Sequence, residues 1–341
     1  MFQHVAKSEL SKRLKEHTPA CVSSEKGAMG LRLLLQTTIK SPATFKGVGL
    51  HSGETCRVTV RPAPAEHGIL FRRLDVPVAD RDLPARWDMV KQSPLCTRLQ
   101  NDAGVTLSTI EHIMAALCGC GVHNAVVEAS SGEIPILDGS SAQFVRGLLA
   151  SGVEQLGVPI KAYRVLKPVE VRRGDAVARL LPHDALRIEF KIEFEDAAIG
   201  AQSKVLNMAN GSFIRELSTS RTFCRQADVT AMQANGLALG GNPGENAVVF
   251  DGDRVASPGG LRQPDEPVRH KMLDALGDLA LAGLPLLAHY QGERAGHALT
   301  NELLLALFAD PSSFEIVTCD SDMAERLPGA GVHWGEIPEV A

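Results

Sequence analysis

Polar and apolar residues alternate along several short stretches of the chain, and that spacing is typical of β-strands with one buried face. In TCRVTVRP, residues 55–62, the apolar set is Cys56, Val58 and Val60. Glycines punctuate the turn that precedes it, as in a hairpin. Further strands are predicted in GILFRRLD, HNAVVEAS, YRVLKPVEVRRG, AVARLLP, LRIEFKIEFE and LLAHYQG.

Other stretches repeat apolar residues every three or four positions, which predicts helices. These are residues 108–120, SAQFVRGLLASGV up to about Gly152, residues 265–282 and residues 298–309. Ser108 or Thr109 is suited to cap the first of them, because a hydroxyl can accept a hydrogen bond from the first turn.

Each half of the chain reads as strands, helix, strand, helix, so we predict an α+β fold of two similar domains. Residues 223–255 add a short helix, a glycine-rich turn and a strand, which indicates an insertion on the second domain. The predicted division is an N-terminal extension 1–30, a first domain 31–157, a second domain 158–325 with insertion 223–257, and a tail 326–341.

Composition narrows the functional classes. The chain has 341 residues and a formal net charge of -5, which argues against a general nucleic-acid binder, because such proteins need a basic face. A local basic patch for one anionic small molecule stays open. The chain has no apolar run long enough to span a membrane and no secretory signal at its start. Seven cysteines without a C-x-x-C pair indicate free, mostly buried thiols in a reducing cytosol.

The strongest local signal lies in VRHKMLDALGDL, residues 268–279. His270 and Asp274 are four residues apart, so a helix places them on one face where they can grip one ion. Asp278 extends the same stripe. Such groups are costly to bury unless they are paired or bind a metal. The alternative is a solvated helix face with ion pairs.

The second signal is the adjacent pair Glu111 and His112 near the start of the 108–120 helix. A histidine that holds Zn²⁺ beside an acid that takes a proton from water suits metal-dependent hydrolysis. A capping acid next to a surface histidine is the alternative. Together the two helices offer two histidines and one aspartate, which leaves a fourth position for water, as catalytic zinc requires.

Two further histidines are candidates. His297, in AGHALTNE, is suited to act as general acid for a leaving amine, with Asp278 orienting it and favouring its charged form. His51, in GVGLHSG, is a second candidate near the site, although a histidine in a turn is more often structural.

With these residues, the chain resembles the UDP-3-O-acyl-N-acetylglucosamine deacetylases, which are zinc enzymes of lipid A biosynthesis. The matching motifs are GVGLHSG, RPAPA, STIEH, EIPILDGS, SRTF, GLALGG, VRHKMLDALGDL and GHALTN. They follow the family order from about residue 33 to 325. The resemblance implies two domains, each a layer of helices on a β-sheet, packed face to face with the active site between them.

The resemblance also implies roles for individual residues. Zinc would be bound by His112, His270 and Asp274, with Glu111 as general base and His297 as general acid backed by Asp278. Thr222 would stabilise the oxyanion. Substrate contacts would come from Lys271 at the phosphates, Phe194 at the uracil, and Leu237 with its neighbours along an acyl passage, whose alternative is ordinary core. His51 and Asp138 would support the site, and Cys96 would lie close to the metal.

The implied reaction is zinc-dependent hydrolysis of the 2-acetamido group of UDP-3-O-(3-hydroxyacyl)-N-acetylglucosamine, giving acetate. We expect a cytoplasmic monomer with a small-molecule substrate, no nucleic-acid partner and no membrane span; peripheral contact with the inner membrane stays open. The competing hypotheses are a non-catalytic sugar-nucleotide-binding protein on the same scaffold and a zinc peptidase, which lacks its H-E-x-x-H motif here.

Two departures from the family pattern stand out. The first 30 or so residues have no counterpart in typical members. A lysine that often follows the Gly-Asp turn of the second domain is replaced by Ala176. Arg172 or Arg173 is a candidate to take over the phosphate contact of that lysine.

Overall fold

The computed structural model describes residues 35–93 and 95–332. The strands of the first part are β1 Leu35–Ile39, β2 Ala43–Val48, β3 Thr55–Pro62, β4 Ile69–Arg73, β5 Asp82–Pro84, β6 Val90–Lys91, β7 Arg98–Gln100, β8 Thr106–Leu107, β9 Ala125–Ala129 and β10 Val153–Pro159. Those that follow are β11 Lys161–Val165, β12 Val169–Arg173, β13 Ala176–Pro182, β14 Leu186–Glu193, β15 Ala201–Asn207, β16 Phe223–Arg225, β17 Val248–Asp251, β18 Arg254–Val255, β19 Leu286–Glu293 and β20 Phe314–Thr318.

The α-helices of the described part are α1 Glu111–Gly119, α2 Ala142–Ala150, α3 Gln226–Ala234, α4 Glu266–Leu279, α5 His297–Ala309 and α6 Ser321–Ala324. The helices predicted at 108–120, 265–282 and 298–309 are present, and the α+β class is confirmed. The sequence pattern did not predict β5 to β8, β10, β15 or β20. The predicted extension 1–30 and the last residues of the predicted tail, from 333 onward, lie outside the described residues.

The first half forms a five-stranded sheet in the order β2-β3-β9-β4-β5. β3 runs antiparallel to both β2 and β9, whereas β4 runs parallel to β9. The alternation predicted for residues 55–62 is confirmed, because Cys56, Val58 and Val60 have no exposed surface. Helix α2 covers this face, where the rings of Phe45 and Phe144 meet edge to face at a centroid distance of 5.0 Å.

The second half forms a seven-stranded sheet around β19. β19 lies between β13, its antiparallel neighbour, and β14, its parallel neighbour, and its first residues also pair with β11. Helices α4 and α5 pack on this sheet. The fully buried Tyr290 of β19 reaches α5, where its hydroxyl lies 3.0 Å from the hydroxyl of Thr300.

Helices α1 and α4 pack against each other at backbone distance. A Cβ on Gly277 would lie only 2.1 Å from the carbonyl oxygen of Glu111, so this position tolerates no side chain. The contact places the start of α1 beside the middle of α4. Every residue of α1 except Cys118 is buried, and so is every residue of α4 except Arg269 and Lys271.

The start of α1 differs from the prediction. The helix begins at Glu111, Ile110 takes the cap position, and no side chain caps it. The predicted capping by Ser108 or Thr109 is wrong, because the Thr109 hydroxyl donates instead to Glu133 at 2.9 Å. Thr109 also has a φ of 59°, a left-handed conformation that β-branched residues rarely adopt.

The stretch between the two halves is a strand. This strand, β10, joins the two sheets along the chain and pairs antiparallel with β1, the first described strand. The domain division at residues 157 and 158 stays a prediction. Within residues 35–93 and 95–332, none of the helices has the length and apolar character needed to cross a membrane.

The insertion consists of β16, α3, β17 and β18; the sequence pattern predicted the helix and one strand, and the structure adds two short strands. β16 pairs parallel with β17, and β17 pairs antiparallel with β18. No residue of α3 is buried. The insertion is tied to the second half by Asp196, whose carboxylate accepts from the Gly252 amide at 3.0 Å and also pairs with Arg225.

Candidate active site

His112, His270 and Asp274 meet where α1 and α4 touch. One ligand atom from each lies within 4.8 Å of the others, and all three residues are buried. Asp274 Oδ1 is 3.3 Å from His270 Nε2 and 3.7 Å from His112 Nε2. Ligands bound at about 2.0–2.2 Å in a tetrahedral zinc site stand at a comparable separation from one another. The surface histidine and the solvated helix face, which were the alternatives, are both wrong, because these side chains are inside the protein.

The protonation of this cluster suits a metal. The ring of His270 donates from Nδ1 to the Ser220 carbonyl at 3.0 Å, which leaves Nε2 as the free lone pair. Burial and the neighbouring His270 lower the pKa of His112 to about 3, and burial lowers the pKa of His270. Both imidazoles are therefore neutral at pH 7, the form that coordinates a metal.

The aspartate of the cluster is ionised. Burial alone would raise the pKa of Asp274, but the adjacent His270 and Lys271 outweigh it and hold the pKa well below its usual range. Among the described residues, Asp274 Oδ1 has no hydrogen-bond partner although it is buried. A buried charged oxygen without a partner is costly, and a divalent cation between the three ligands would satisfy it. The donor set therefore fits a metal.

Glu111 and His297 lie on the same side of this cluster. His297 Nε2 is 3.9 Å from both Glu111 Oε1 and Asp274 Oδ2. On its other side, His297 Nδ1 donates to Asp278 Oδ2 at 2.8 Å. The amide of Thr97 donates to Glu111 at 2.9 Å, and the Thr97 hydroxyl donates to Asp278. One threonine thus orients both carboxylates.

The electrostatics of this pair favour acid–base chemistry. Burial raises the pKa of Glu111 to about 7, although the positive charge of His297 counteracts it. Burial would lower the pKa of His297, yet Asp278 and then Glu111 raise it to about 9. Near neutral pH the site therefore holds a carboxylate able to take a proton close to an imidazolium able to give one.

Lys271 and Cys96 border the cluster. Lys271 Nζ donates to Asp274 Oδ2 at 2.9 Å; burial opposes its charge, but Asp274 raises its pKa. Cys96 is buried, and burial together with Glu111 raises its pKa to about 11. Its thiol is therefore protonated at neutral pH. Each of the six cysteines in the described part is a free thiol, as predicted.

The loop with Ser220 and Thr222 is held from two sides. The Thr222 amide donates to the Gly139 carbonyl at 2.7 Å, so this loop joins the segment that carries Asp138. Asp138 accepts from Arg262 at 3.0 Å, and Arg262 also donates to the Thr219 carbonyl. This contact assigns Asp138 to the support of the loop.

A buried ion pair fixes the same loop to the start of α4. Arg221 donates from Nε to Glu266 Oε1 at 2.9 Å, and that oxygen also accepts from the Arg221 amide. The side chains are 7% and 1% exposed, so the pair is shielded from water. It sets the position of Ser220 relative to His270.

His51 lies in the turn between β2 and β3. In the described part of the chain neither of its ring nitrogens has a hydrogen-bond partner, although both are buried. Burial lowers its pKa, Glu133 raises it, and His297 lowers it, so this ring senses the charge at the site. Its backbone carbonyl accepts from the Leu239 amide at 3.2 Å, which joins the turn to the insertion.

Phe194 and the insertion approach the cluster through aromatic contacts. The Phe194 ring packs edge to face on Phe223 at 5.6 Å, and Phe223 in turn lies 6.3 Å from the His270 ring. In the turn after α3, Leu237 is half-buried and Leu239 is 57% exposed. The alternative of ordinary core for this segment is therefore wrong.

Arg172 and Arg173, the candidates to replace the lysine that is absent at Ala176, form ion pairs on the surface. Ala176 faces Arg173 across the β12–β13 hairpin. Arg172 donates to Glu170 at 2.5 Å, and Arg173 pairs with Glu302 of α5. A phosphate contact from either arginine stays a prediction.

Sequence patterns missed several residues that build the site. They are Thr97, Glu133, Ser220, Arg221, Arg262 and Glu266. Most act across long sequence separations or through a backbone carbonyl, and neither leaves a periodic signal. A signal was available for Glu133, since it opens the EIPILDGS motif, and for Arg221, which lies in SRTF.

Comparisons with known proteins agree on one family. A family model described as UDP-3-O-acyl N-acetylglycosamine deacetylase matches residues 36–309. Proteins named UDP-3-O-acyl-N-acetylglucosamine deacetylase are similar to the chain in three bacteria. That of Idiomarina loihiensis is 46% identical over 86% of this chain and 95% of its own length. That of Phenylobacterium zucineum is 47% identical over 86% and 100%, and that of Shewanella frigidimarina 40% over 88% and 100%.

Proposed function

This chain belongs to the UDP-3-O-acyl N-acetylglycosamine deacetylase family, and we propose that it hydrolyses the 2-acetamido group of UDP-3-O-(3-hydroxyacyl)-N-acetylglucosamine to the free amine and acetate. This is the step that commits the sugar nucleotide to lipid A biosynthesis. The observation that carries the proposal is the juxtaposition of a His-His-Asp cluster with Glu111 and the His297–Asp278 pair.

Zinc is the metal that the proposal assigns to His112, His270 and Asp274. Two neutral imidazoles and one carboxylate are a ligand set of catalytic zinc sites. Bound there, zinc would supply a Lewis acid that lowers the pKa of water and polarises the amide carbonyl.

Glu111 is the proposed general base. Its Oε2 is held by the Thr97 amide at 2.9 Å, which leaves Oε1 to take the proton of the attacking water. Its pKa of about 7 lies near the working pH, where a base combines sufficient ionisation with sufficient basicity.

His297 is the proposed general acid that protonates the leaving amine. Asp278 accepts from Nδ1, so the proton available for transfer is on Nε2, the nitrogen that faces Glu111 and Asp274. The Asp278 carboxylate keeps the ring charged until the amine departs. Thr222 is assigned to the oxyanion, on a loop that begins at the His270 partner Ser220.

Substrate contacts are assigned to the surroundings of the cluster. Lys271 and Phe194 are assigned to the phosphates and the uracil, and His51 and Asp138 are assigned to the support of the substrate site. Leu237 and Leu239 of the insertion are assigned to the acyl chain, since an exposed leucine on a poorly buried segment gains from contact with an alkyl chain. The site would lie between the two predicted domains, 31–157 and 158–325, of a cytoplasmic monomer.

The test is an acetate-release assay on the acylated UDP sugar, with and without a chelator. We expect release by the zinc-loaded protein, loss after chelation and recovery when zinc is returned. Binding of the sugar nucleotide without acetate release would favour the non-catalytic alternative. Activity that survives complete removal of metal would overturn the assignment of zinc.

A further inference from the structure

We infer that Glu133 is a positioning residue for this reaction, because its carboxylate holds both the His51 turn and the approach to the helix that carries Glu111 and His112. The inference rests on the proposed deacetylase function. Glu133 is 4% exposed and lies between β9 and α2, in the same motif as Asp138; neither the motif analysis nor the acid–base assignment gave Glu133 itself a role.

Three donors converge on this carboxylate. Oε1 accepts from the His51 amide at 2.9 Å and from the Thr109 hydroxyl at 2.9 Å. Oε2 accepts from the Ser52 amide at 2.8 Å. Hydrogen bonds to an ionised acceptor are roughly twice as strong as neutral ones, so a single carboxylate ties two distant segments together.

The bond to Thr109 acts on the base. Thr109 has a φ of 59°, which costs energy for a β-branched residue and persists only where neighbours enforce it. The flanking backbone is clamped to the same segment, since Ser108 donates to the Gly132 carbonyl and Ile134 donates to Ser108, both at 3.0 Å. Glu111 follows two residues later, so the direction in which α1 starts depends on this clamp.

The bonds to the turn act on the other side of the site. A Cβ on Gly49 would lie 2.4 Å from Glu133 Oε2, so the turn packs directly on the carboxylate. The same turn also contacts the insertion, because the Leu50 carbonyl accepts a hydrogen bond from the Gly240 amide at 3.1 Å. Glu133 therefore fixes the position of Glu111, the proposed base, relative to His51. It also fixes the position of Glu111 relative to the segment assigned to the acyl chain.

The decisive variant is Glu133→Gln. The side chain keeps its shape, but an amide nitrogen now faces at least one of the three donors. We expect kcat per bound zinc to fall about 10- to 100-fold, the range for a displacement of catalytic groups by about 1 Å. We expect zinc content to stay at the wild-type level and KM to change less than threefold. The matched control is Glu128→Gln on β9, which pairs with Arg61 at the surface, and we expect it to match wild type.

A second pair of variants keeps the proposal testable if Glu133→Gln fails to fold. Thr109→Val removes the hydroxyl at constant shape, whereas Thr109→Ser keeps it. We expect the valine variant to lose activity as Glu133→Gln does, and the serine variant to retain it. Equal kcat for the valine and serine variants, or wild-type kcat in Glu133→Gln, would overturn the proposal.

Hydrogen exchange separates this proposal from the proposed function. We expect the His51 and Ser52 amides to exchange at least 10-fold faster in Glu133→Gln, with the amides of β3 unchanged. If the wild-type protein releases no acetate, the deacetylase assignment fails, and the exchange rates still report whether Glu133 holds the turn. Unchanged exchange at both amides would refute the role of Glu133 whatever the activity.

Discussion

Helices α4 and α3 lie in the same half of the chain, but they differ in how much of their side chains is buried. In α4 every residue but Arg269 and Lys271 is buried, including His270, Asp274 and Asp278. In α3 no residue is buried. The first helix fixes charged groups where their desolvation must be compensated by partners, whereas the second offers a surface that a substrate can still cover. Under the proposed function, reaction chemistry is thus assigned to a buried helix and contact with the acyl chain to the turn that follows an exposed one.

The largest effect that would test this separation is expected in α4. His270→Ala removes one of three metal ligands, and we expect bound zinc to be lost and activity to fall to background. Elemental analysis of the purified protein measures it. His67→Ala, at an exposed histidine, is the control and should keep full metal. Zinc at wild-type stoichiometry in His270→Ala would contradict the ligand assignment.

The next effect is expected at Glu111, which belongs to the buried side but not to the ligands. Glu111→Ala should lower kcat by about two orders of magnitude or more, within the range for general acid–base groups, while zinc stays bound. Steady-state kinetics and metal analysis on one preparation decide it. Unchanged turnover would remove Glu111 from the role of base.

A smaller effect is expected at Asp278, and its signature is in the pH profile. Asp278 raises the pKa of His297, which must be protonated to act, so kcat/KM should fall as pH rises through that pKa of about 9. Asp278→Asn should move this basic limb to lower pH and reduce kcat about 10- to 100-fold, as expected for a group that orients a catalytic histidine.

The acidic limb of the same profile should move less than the basic limb, because Asp278 contributes less to the pKa of Glu111 than burial and His297 do. It reports the ionisation of Glu111, whose pKa is about 7, and activity should fall as pH drops through it. The positive charge of bound zinc would shift both limbs to lower pH in wild type and variant alike. A basic limb that stays in place in Asp278→Asn would show that Asp278 does not control the proton of His297.

The smallest effect is expected in the insertion. Leu239→Ser removes an exposed leucine, so the melting temperature should change little, while the preference for long over short acyl chains should drop about fivefold, equivalent to about 1 kcal/mol of apolar contact. Ratios of kcat/KM for two chain lengths measure it. Leu74→Ser, at another exposed leucine, should leave the ratio unchanged. The same ratio in both variants would argue against an acyl contact at Leu239.

The same contrast decides what the sequence could predict. The alternation in β3 reflects burial on one face and the period of α4 reflects helix geometry, so residue patterns were sufficient for their placement, although nearly all of α4 is buried. The i,i+4 spacing of His270 and Asp274 anticipated a shared face for the same reason. Only the meeting of His112 with that face required the fold, because the two are 158 positions apart along the chain from 112 to 270.

Patterns failed where a side chain serves a distant partner. Thr109 was predicted to cap α1 and bonds to Glu133 instead. The Ser220 contact to His270 runs through a backbone carbonyl, which every residue type possesses. Such contacts depend on tertiary geometry, and neither hydrophobic periodicity nor residue type encodes them.

Gly277 gives the site a determinant that has no side chain at all. The carbonyl of Glu111 occupies the space where its Cβ would stand. A single methyl group there would act as a spacer and move His112 away from His270 and Asp274. The affinity proposed for the metal would therefore depend partly on Gly277, a residue outside the ligand set.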